Sequence, residues 1–155
     1  MSNHISYLDP PIISCIMDRP IYFMAKEELF QYPIFGWLIS KLGAFPVKRG
    51  RPDRGALKKS YNILANDQVL CIFPEGQRYR NGKLGNAKSG AIMIPIKKEC
   101  PILPVGIKLK KMRLKVSIGQ PLLLDQYFNR KIEKEEIKAA GRLIMKNIEQ
   151  ELDQI

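Results

Sequence analysis

Five short apolar runs, each cut off by proline, glycine or a charged residue, limit what this chain can fold into. Ile21 to Ala25, Ala44 to Lys48, Val69 to Phe73, Ile102 to Lys108 and Leu114 to Ile118 are rich in β-branched and aromatic residues and too short for core helices. Each reads as a strand, and Val69-Leu70-Cys71-Ile72-Phe73 is the clearest, ending at Pro74-Glu75-Gly76. Helical segments separate them. Asp9-Pro10-Pro11 is a helix-start signal, with a short helix expected through Ile12 to Met17. Glu28 to Leu42 reads as helix with a break at Pro33 and a stop at Gly43. Asp53 opens an amphipathic helix to about Asn66, and further helices are expected from Ala87 to Lys98 and from Glu133 to Leu152. Strands alternating with helices in a chain of 155 residues predict an α/β fold: one domain over residues 1–155, with a largely parallel central sheet flanked by helices.

In such sheets ligands gather where strands end and loops begin, so the strand ends carry the candidate chemistry. Phe73-Pro74-Glu75-Gly76-Gln77-Arg78 follows the clearest strand. Gly76 suits a tight turn, Arg78 suits a bidentate contact with a phosphate, and Glu75 is placed to orient that guanidinium. The alternative is a turn carrying a surface ion pair. Gly43 to Arg49 ends another strand in Lys48 and Arg49, with Arg51 close behind, a pattern shared by many solvated basic loops. His4, the only histidine, precedes Asp9 by five positions. On a regular helix that spacing turns two side chains roughly 140° apart, so the pair meets only if residues 4–8 form a turn. A carboxylate on one imidazole nitrogen would leave the other as a base toward a hydroxyl. The alternative is a solvated histidine beside an ordinary helix cap.

Charge narrows the partners. The chain carries 26 Lys and Arg against 15 Asp and Glu, a net charge of +11, which favours nucleic acid, an anionic membrane surface or a phosphorylated substrate. No nucleic-acid-binding motif is present and few aromatics interleave the basic residues, so nucleic acid ranks last. No apolar stretch approaches the ~20 residues of a membrane-spanning helix, and no secretory leader is legible. Cys15, Cys71 and Cys100 have neither metal nor redox spacing and read as reduced, cytosolic thiols. No metal-ligand set is visible.

Taken together, these segments resemble, in order and spacing, the lysophosphatidate (1-acyl-sn-glycerol-3-phosphate) acyltransferases of phospholipid synthesis, the PlsC-type glycerophosphate acyltransferases. Asn3-His4-x-Ser6-x-x-Asp9 matches that family's first motif, a His-x4-Asp catalytic pair. Gly43 to Arg49 resembles the second, whose terminal arginine contacts acceptor phosphate. Phe73-Pro74-Glu75-Gly76-x-Arg78 resembles the third, and Ile102 to Ile107 the fourth, a proline-containing strand on the acyl side. The likeness covers about residues 3–120. The family's third motif usually has hydroxyl residues where this chain has Gln77 and Tyr79, which bears on the acceptor headgroup. The chain begins three residues ahead of His4, so the family's N-terminal anchoring helices are expected to be missing, and a base so near a terminus is expected to be poorly ordered.

The resemblance implies a metal-free, cofactor-free transfer of a fatty acyl group from acyl-CoA or acyl carrier protein to the sn-2 hydroxyl of lysophosphatidate. His4 would be the base and Asp9 its orienter. Lys48, Arg49, Glu75, Gly76 and Arg78 would form the acceptor-phosphate site, and Pro104 and Val105 the acyl-side lining. Other lysolipids or glycerol phosphate as acceptor, or an inactive lipid-binding relative, are the alternatives. The amphiphilic substrates imply a protein peripheral to the inner face of the cell membrane. Two features suit that surface: the aromatic segment Phe30 to Ile39 between Lys26 and Lys41, and a basic stripe of Arg130, Lys134, Lys138, Arg142 and Lys146.

Overall fold

The structure, a computed structural model, describes residues 1–50, 52–79, 83–110 and 113–155; Arg51 and residues 80–82 of the loop between Gln77 and Asn86 lie outside the described residues. The chain divides into two compact units, Pro10–Ile72 and Met1–Asp9 with Phe73–Ile155.

Helix α1 (Asp9–Ile16) starts at the Asp-Pro-Pro signal. In the Pro10–Ile72 unit, β1 (Ile21–Lys26) runs parallel between β2 (Ala44–Val47) and β3 (Val69–Cys71), so the α/β class and the parallel sheet expected from the sequence are observed. Ile21 and Phe23 alternate inward along β1. The segment after β1 forms two helices, a 3-10 turn at Glu27–Gln31 and α2 (Pro33–Lys41). Pro33 takes the start of α2, where its missing N–H has no intrahelical partner to lose. Helix α3 (Arg54–Ala65) links β2 to β3; the Asp53 carboxylate caps it by accepting from the Ala56 N–H at 3.0 Å. Its buried Ala56 and Ile63 pack with Phe45 beneath Tyr22, Met24, Val47 and Leu70.

The other unit is built on α4 (Ser89–Lys98), the antiparallel hairpin of β4 (Val105–Lys110) and β5 (Arg113–Ile118), and α5 (Lys134–Asp153). A reciprocal capping box between Glu133 and Glu136 starts α5. From there Ala140, Ile144 and Ile148 recur on the face turned to Ile92, Ile96, Ile102 and Leu124. The hairpin is a separate two-stranded sheet, so only three of the five strands share the parallel arrangement. A one-residue register slip accounts for the late start of β4: Ile102 pairs with Leu122 as an isolated bridge, and the ladder to β5 begins only at Val105.

The N-terminal segment is not loose. Ser2 bridges Val105 in parallel, the Val105 N–H donates to the Met1 carbonyl at 2.8 Å, and the Asn3 side chain completes the pairing. Asn3 Nδ2 donates to the Ile107 carbonyl at 2.9 Å while Asn3 Oδ1 accepts from the Ile107 N–H at 2.8 Å. A side-chain amide thus stands in for a strand residue on the free edge of β4. Ser2 and Asn3 are buried. The expectation of a poorly ordered base is therefore corrected: backbone pairing and a bidentate amide hold the residue next to it.

Helix α5 reaches β4 across Gly106, where a Cβ would sit 2.9 Å from the backbone C of Glu151 and N of Leu152. Gly106→Ala should lower unfolding stability by roughly 1–3 kcal/mol, the usual cost of overpacking against backbone, measured by urea denaturation.

Candidate active site

Residues 4–8 make the turn that the His4–Asp9 spacing requires. The Asp9 N–H closes it on the Ser6 carbonyl, and the Asp9 carboxylate returns over it. Asp9 Oδ2 accepts from the Ile5 N–H at 2.7 Å, from the Ser6 N–H at 2.8 Å and from His4 Nδ1 at 2.6 Å. A carboxylate accepts only, so Nδ1 carries the proton and Nε2 keeps its lone pair. The carboxylate is fully buried and the imidazole about one-tenth exposed. Phe73 stacks on the imidazole, ring centroids 4.0 Å apart and planes 17° from parallel. The ring therefore has a hydrogen bond at one nitrogen and an aromatic face against its plane, a combination that sets both tautomer and orientation.

Glu75 supports this arrangement from beneath. Its Oε2 accepts from the His4 N–H at 3.0 Å and its Oε1 from the Gly85 N–H at 2.6 Å. The Tyr79 N–H donates to the His4 carbonyl at 2.8 Å, so His4 is tied to the third-motif segment on both sides of its backbone. Glu75 is only 1% exposed, and burial pushes its carboxyl above the usual range against the pull of the two N–H donors. This corrects the expected role of Glu75 as the residue orienting Arg78: both its oxygens are committed to backbone N–H groups. Gly76, at φ 70°, makes the turn that leads away from it, with its N–H on the Phe73 carbonyl at 3.0 Å.

Arg78 is oriented instead by Tyr7, whose ring centroid lies 3.4 Å from the guanidinium carbon. Arg78 Nη1 is buried with no hydrogen-bond partner among the described residues. Next to it, Gln77 Nε2 donates to the Tyr79 hydroxyl at 2.8 Å. His4, Asp9, Glu75, Gly76 and Arg78 are thus brought together in one unit. Lys48 and Arg49 follow β2 in the other unit; the Lys48 ammonium pairs with Glu27 at 3.5 Å and its N–H donates to Asp53 at 2.8 Å. Pro104 and Val105 are buried at the start of β4, where Val105 holds the N-terminal segment. The supporting roles of Asn3, Tyr7 and Phe73 were not readable from the sequence. Asn3 and Phe73 open the first and third motifs and Tyr7 lies inside the first, but nothing local says what these side chains will touch.

The chain that holds this buried, tautomer-fixed histidine beside a cationic side chain belongs to the acyltransferase family, whose model matches residues 1–108. It is similar to the 1-acyl-sn-glycerol-3-phosphate acyltransferase of Streptococcus pneumoniae strain R6, with 32% identity over 79% of this chain and 48% of that protein. The enzyme of the same name from Bacillus subtilis strain 168 is 30% identical over 90% of this chain and 74% of that one. The crystal structure of PlsC, the 1-acyl-sn-glycerophosphate acyltransferase of Thermotoga maritima, superposes with a TM-score of 0.71 at 28% identity, covering 96% of this chain and 64% of that one. The chain thus spans about half the length of the pneumococcal relative.

Glu75→Gln tests the clamp. One end of an amide cannot accept, so either the His4 or the Gly85 N–H loses its partner, at about 1–3 kcal/mol of stability, together with a drop in acyl transfer. The pH dependence has a definite sign. Because the folded state holds the Glu75 proton more tightly than the unfolded chain, stability from this group is present below the unfolded value of 4.5 and lost as pH rises through its raised folded value. Denaturation midpoints of the wild type should therefore fall relative to Glu75→Gln as pH increases through that range.

Proposed function

We propose that this chain transfers a fatty acyl group from a thioester, acyl-CoA or acyl carrier protein, to the sn-2 hydroxyl of a lysophosphatidate. The observation that carries this reading is the 2.6 Å contact between His4 Nδ1 and Asp9 Oδ2, which leaves Nε2 as the only basic atom of the ring. His4 Nε2 takes the hydroxyl proton as the acceptor oxygen attacks the thioester carbonyl. The tetrahedral intermediate then expels the thiolate, which leaves as the thiol with the proton held on His4. Asp9 holds the imidazole and stabilises its cationic form, as in the His-Asp half of a serine hydrolase triad with substrate hydroxyl in place of an enzyme nucleophile. No acyl-enzyme forms, and the chemistry needs no metal or cofactor.

Arg78 is the first candidate for the acceptor phosphate, and its unpartnered Nη1 beside the His4 loop supports that role. Lys48 and Arg49 would add positive charge, Gly76 would leave backbone room for the headgroup, and Pro104 and Val105 would border the acyl chain. Holding the hydroxyl at the base in this way can lower the barrier by up to about 7–11 kcal/mol in ideal models. A second reading, another lysolipid or glycerol phosphate as acceptor, is favoured by one feature. The Gln77–Tyr79 hydrogen bond presents an amide and a phenol where relatives of this type carry hydroxyl residues.

The substrates place the reaction at a membrane surface, on its inner face. Among the described residues no helix is long and apolar enough to cross a bilayer. Ile34, Phe35, Trp37 and Leu38 of α2 are exposed, as an interfacial segment requires. The basic stripe on α5 is weaker support, since Arg130 pairs with Glu136 at 2.6 Å and Lys138 with Glu135 at 2.7 Å.

Assays with labelled acyl-CoA or acyl carrier protein and a panel of lysolipids test the proposal. His4→Ala should abolish turnover, and wild-type turnover in that variant would sink the mechanism. Arg78→Ala should cut kcat/KM for the acceptor at least about tenfold with little effect on the donor. Tyr7→Leu should shift acceptor KM in the same direction by about fivefold, the loss of one cation–π contact.

A further inference from the structure

The β4–β5 hairpin carries an arrangement that neither the catalytic site nor the fold explains. Its register sets Lys108 directly opposite Lys115. Like charges facing each other across an antiparallel pair destabilise it. Residues 100–124 contain no acidic residue, and among the described residues no carboxylate pairs with Lys108, Arg113 or Lys115; the Glu151 carboxylate, which meets this face of the hairpin, is hydrogen-bonded to Ser117. Lys108 gives its ammonium only to the Leu152 carbonyl, and Arg113 and Lys115 are exposed.

The opposite face of the ribbon is apolar. Val105, Ile107 and Leu109 alternate onto it from β4, facing Ile118, Val116 and Leu114 from β5. Along β4 the row starts in the core and ends in solvent, with Val105 5% and Ile107 1% exposed but Leu109 63% exposed; on β5 both Ile118 and Leu114 are 45% exposed. Two large aliphatic side chains thus stand at the outer end of a ribbon whose other face carries Lys108, Lys115 and Arg113 beyond Gly106 and Ser117. A soluble protein surface gains nothing from either feature, whereas a bilayer of anionic phospholipid satisfies both, with acyl chains for the leucines and headgroups for the cations.

We infer that the β4–β5 hairpin docks this chain onto anionic phospholipid bilayers and, in docking, brings the base to the lipid surface. This rests on the proposed lipid substrate for its purpose, but not for its evidence. The link to the base is direct. Asn3 pairs with both backbone groups of Ile107, and His4 is the next residue. Leu109 lies two residues further along β4, about 7 Å. That is the depth to which interfacial segments bury their apolar side, about 5–10 Å. A hairpin seated to Ile107 would therefore hold the His4 loop at headgroup level, where the hydroxyl of an embedded lysolipid is found.

Vesicle co-sedimentation of the full chain tests this, using phosphatidylglycerol-containing vesicles against pure phosphatidylcholine, at low and high salt. Wild type should bind the anionic vesicles and release them as salt rises. Lys115→Glu should weaken binding about fivefold or more, and Arg113→Glu likewise. Leu109→Ser with Leu114→Ser should weaken binding at both salt levels. Leu114→Trp in a Trp37→Phe background gives a direct reading that leaves the basic face intact: its emission should shift blue on anionic vesicles and be quenched by brominated lipid. Unchanged emission, wild-type binding by the charge-reversed variants, or no binding of the wild type to anionic vesicles would each overturn the inference; the last would point to an acidic protein as the partner. Turnover of a short-chain, monomeric lysophosphatidate should be unaffected by the hairpin substitutions. Binding is read without turnover, so a chain that docks through the hairpin yet fails to acylate lysophosphatidate would refute the proposed reaction and leave the docking surface standing.

Discussion

Asp9 Oδ2 gathers three donors, the imidazole Nδ1 of His4 and the backbone N–H groups of Ile5 and Ser6, within 2.8 Å. The loop from His4 to Leu8 contains neither glycine nor proline, and apart from the Ser6 contacts to the Leu8 and Asp9 N–H groups its turn is closed by that carboxylate. The buried charge is made tolerable by those donors, and the donors are spared an unsatisfied burial by the charge. Orientation of the imidazole and local folding are in this sense one interaction, because one oxygen of Asp9 both holds the ring and folds the loop that carries it.

That loop is then fastened to the rest of its unit at three points. Asn3 ties it to the edge of β4, Glu75 takes the His4 N–H, and Tyr79 takes the His4 carbonyl. Phe73 covers the imidazole and Tyr7 reaches across to Arg78. The first and third motifs therefore do more than supply separate reacting groups. They form a small closed network in which the loops of His4 and Arg78 hold each other, so the distance between the two side chains is set by packing rather than by either loop alone.

Buried carboxylates recur as organisers here. Asp9 serves the base, Glu75 bridges His4 and Gly85, and Glu151 accepts from Ser117 at 2.5 Å where α5 meets the hairpin. A chain with so large a positive excess spends several of its few acids inside, which leaves the surface still more basic than the composition states. The hairpin, with no acid between residues 100 and 124, is the extreme of that distribution. Positive charge at the surface and negative charge in the interior suit a protein whose partners are anionic.

Much of this was legible in the sequence. The five apolar runs placed the strands to within a few residues, Asp9-Pro10-Pro11 and Asp53 marked two helix starts, and the His4–Asp9 spacing demanded a turn that is found. Those features are local: periodicity, capping and turn chemistry act over a few residues, so a linear reading recovers them. The partners of Glu75 were not legible, because Gly85 and His4 are 10 and 71 positions away and only the folded chain brings them to its two oxygens. The same holds for Asn3 and Ile107, 104 positions apart, and for the cross-strand lysines, whose opposition depends on register. Sequence alone determined the class of fold and marked the residues that are candidates for the chemistry. Tertiary structure decided what holds them, since long-range pairing is selected by the packing of whole elements and leaves no trace in the residues beside each partner.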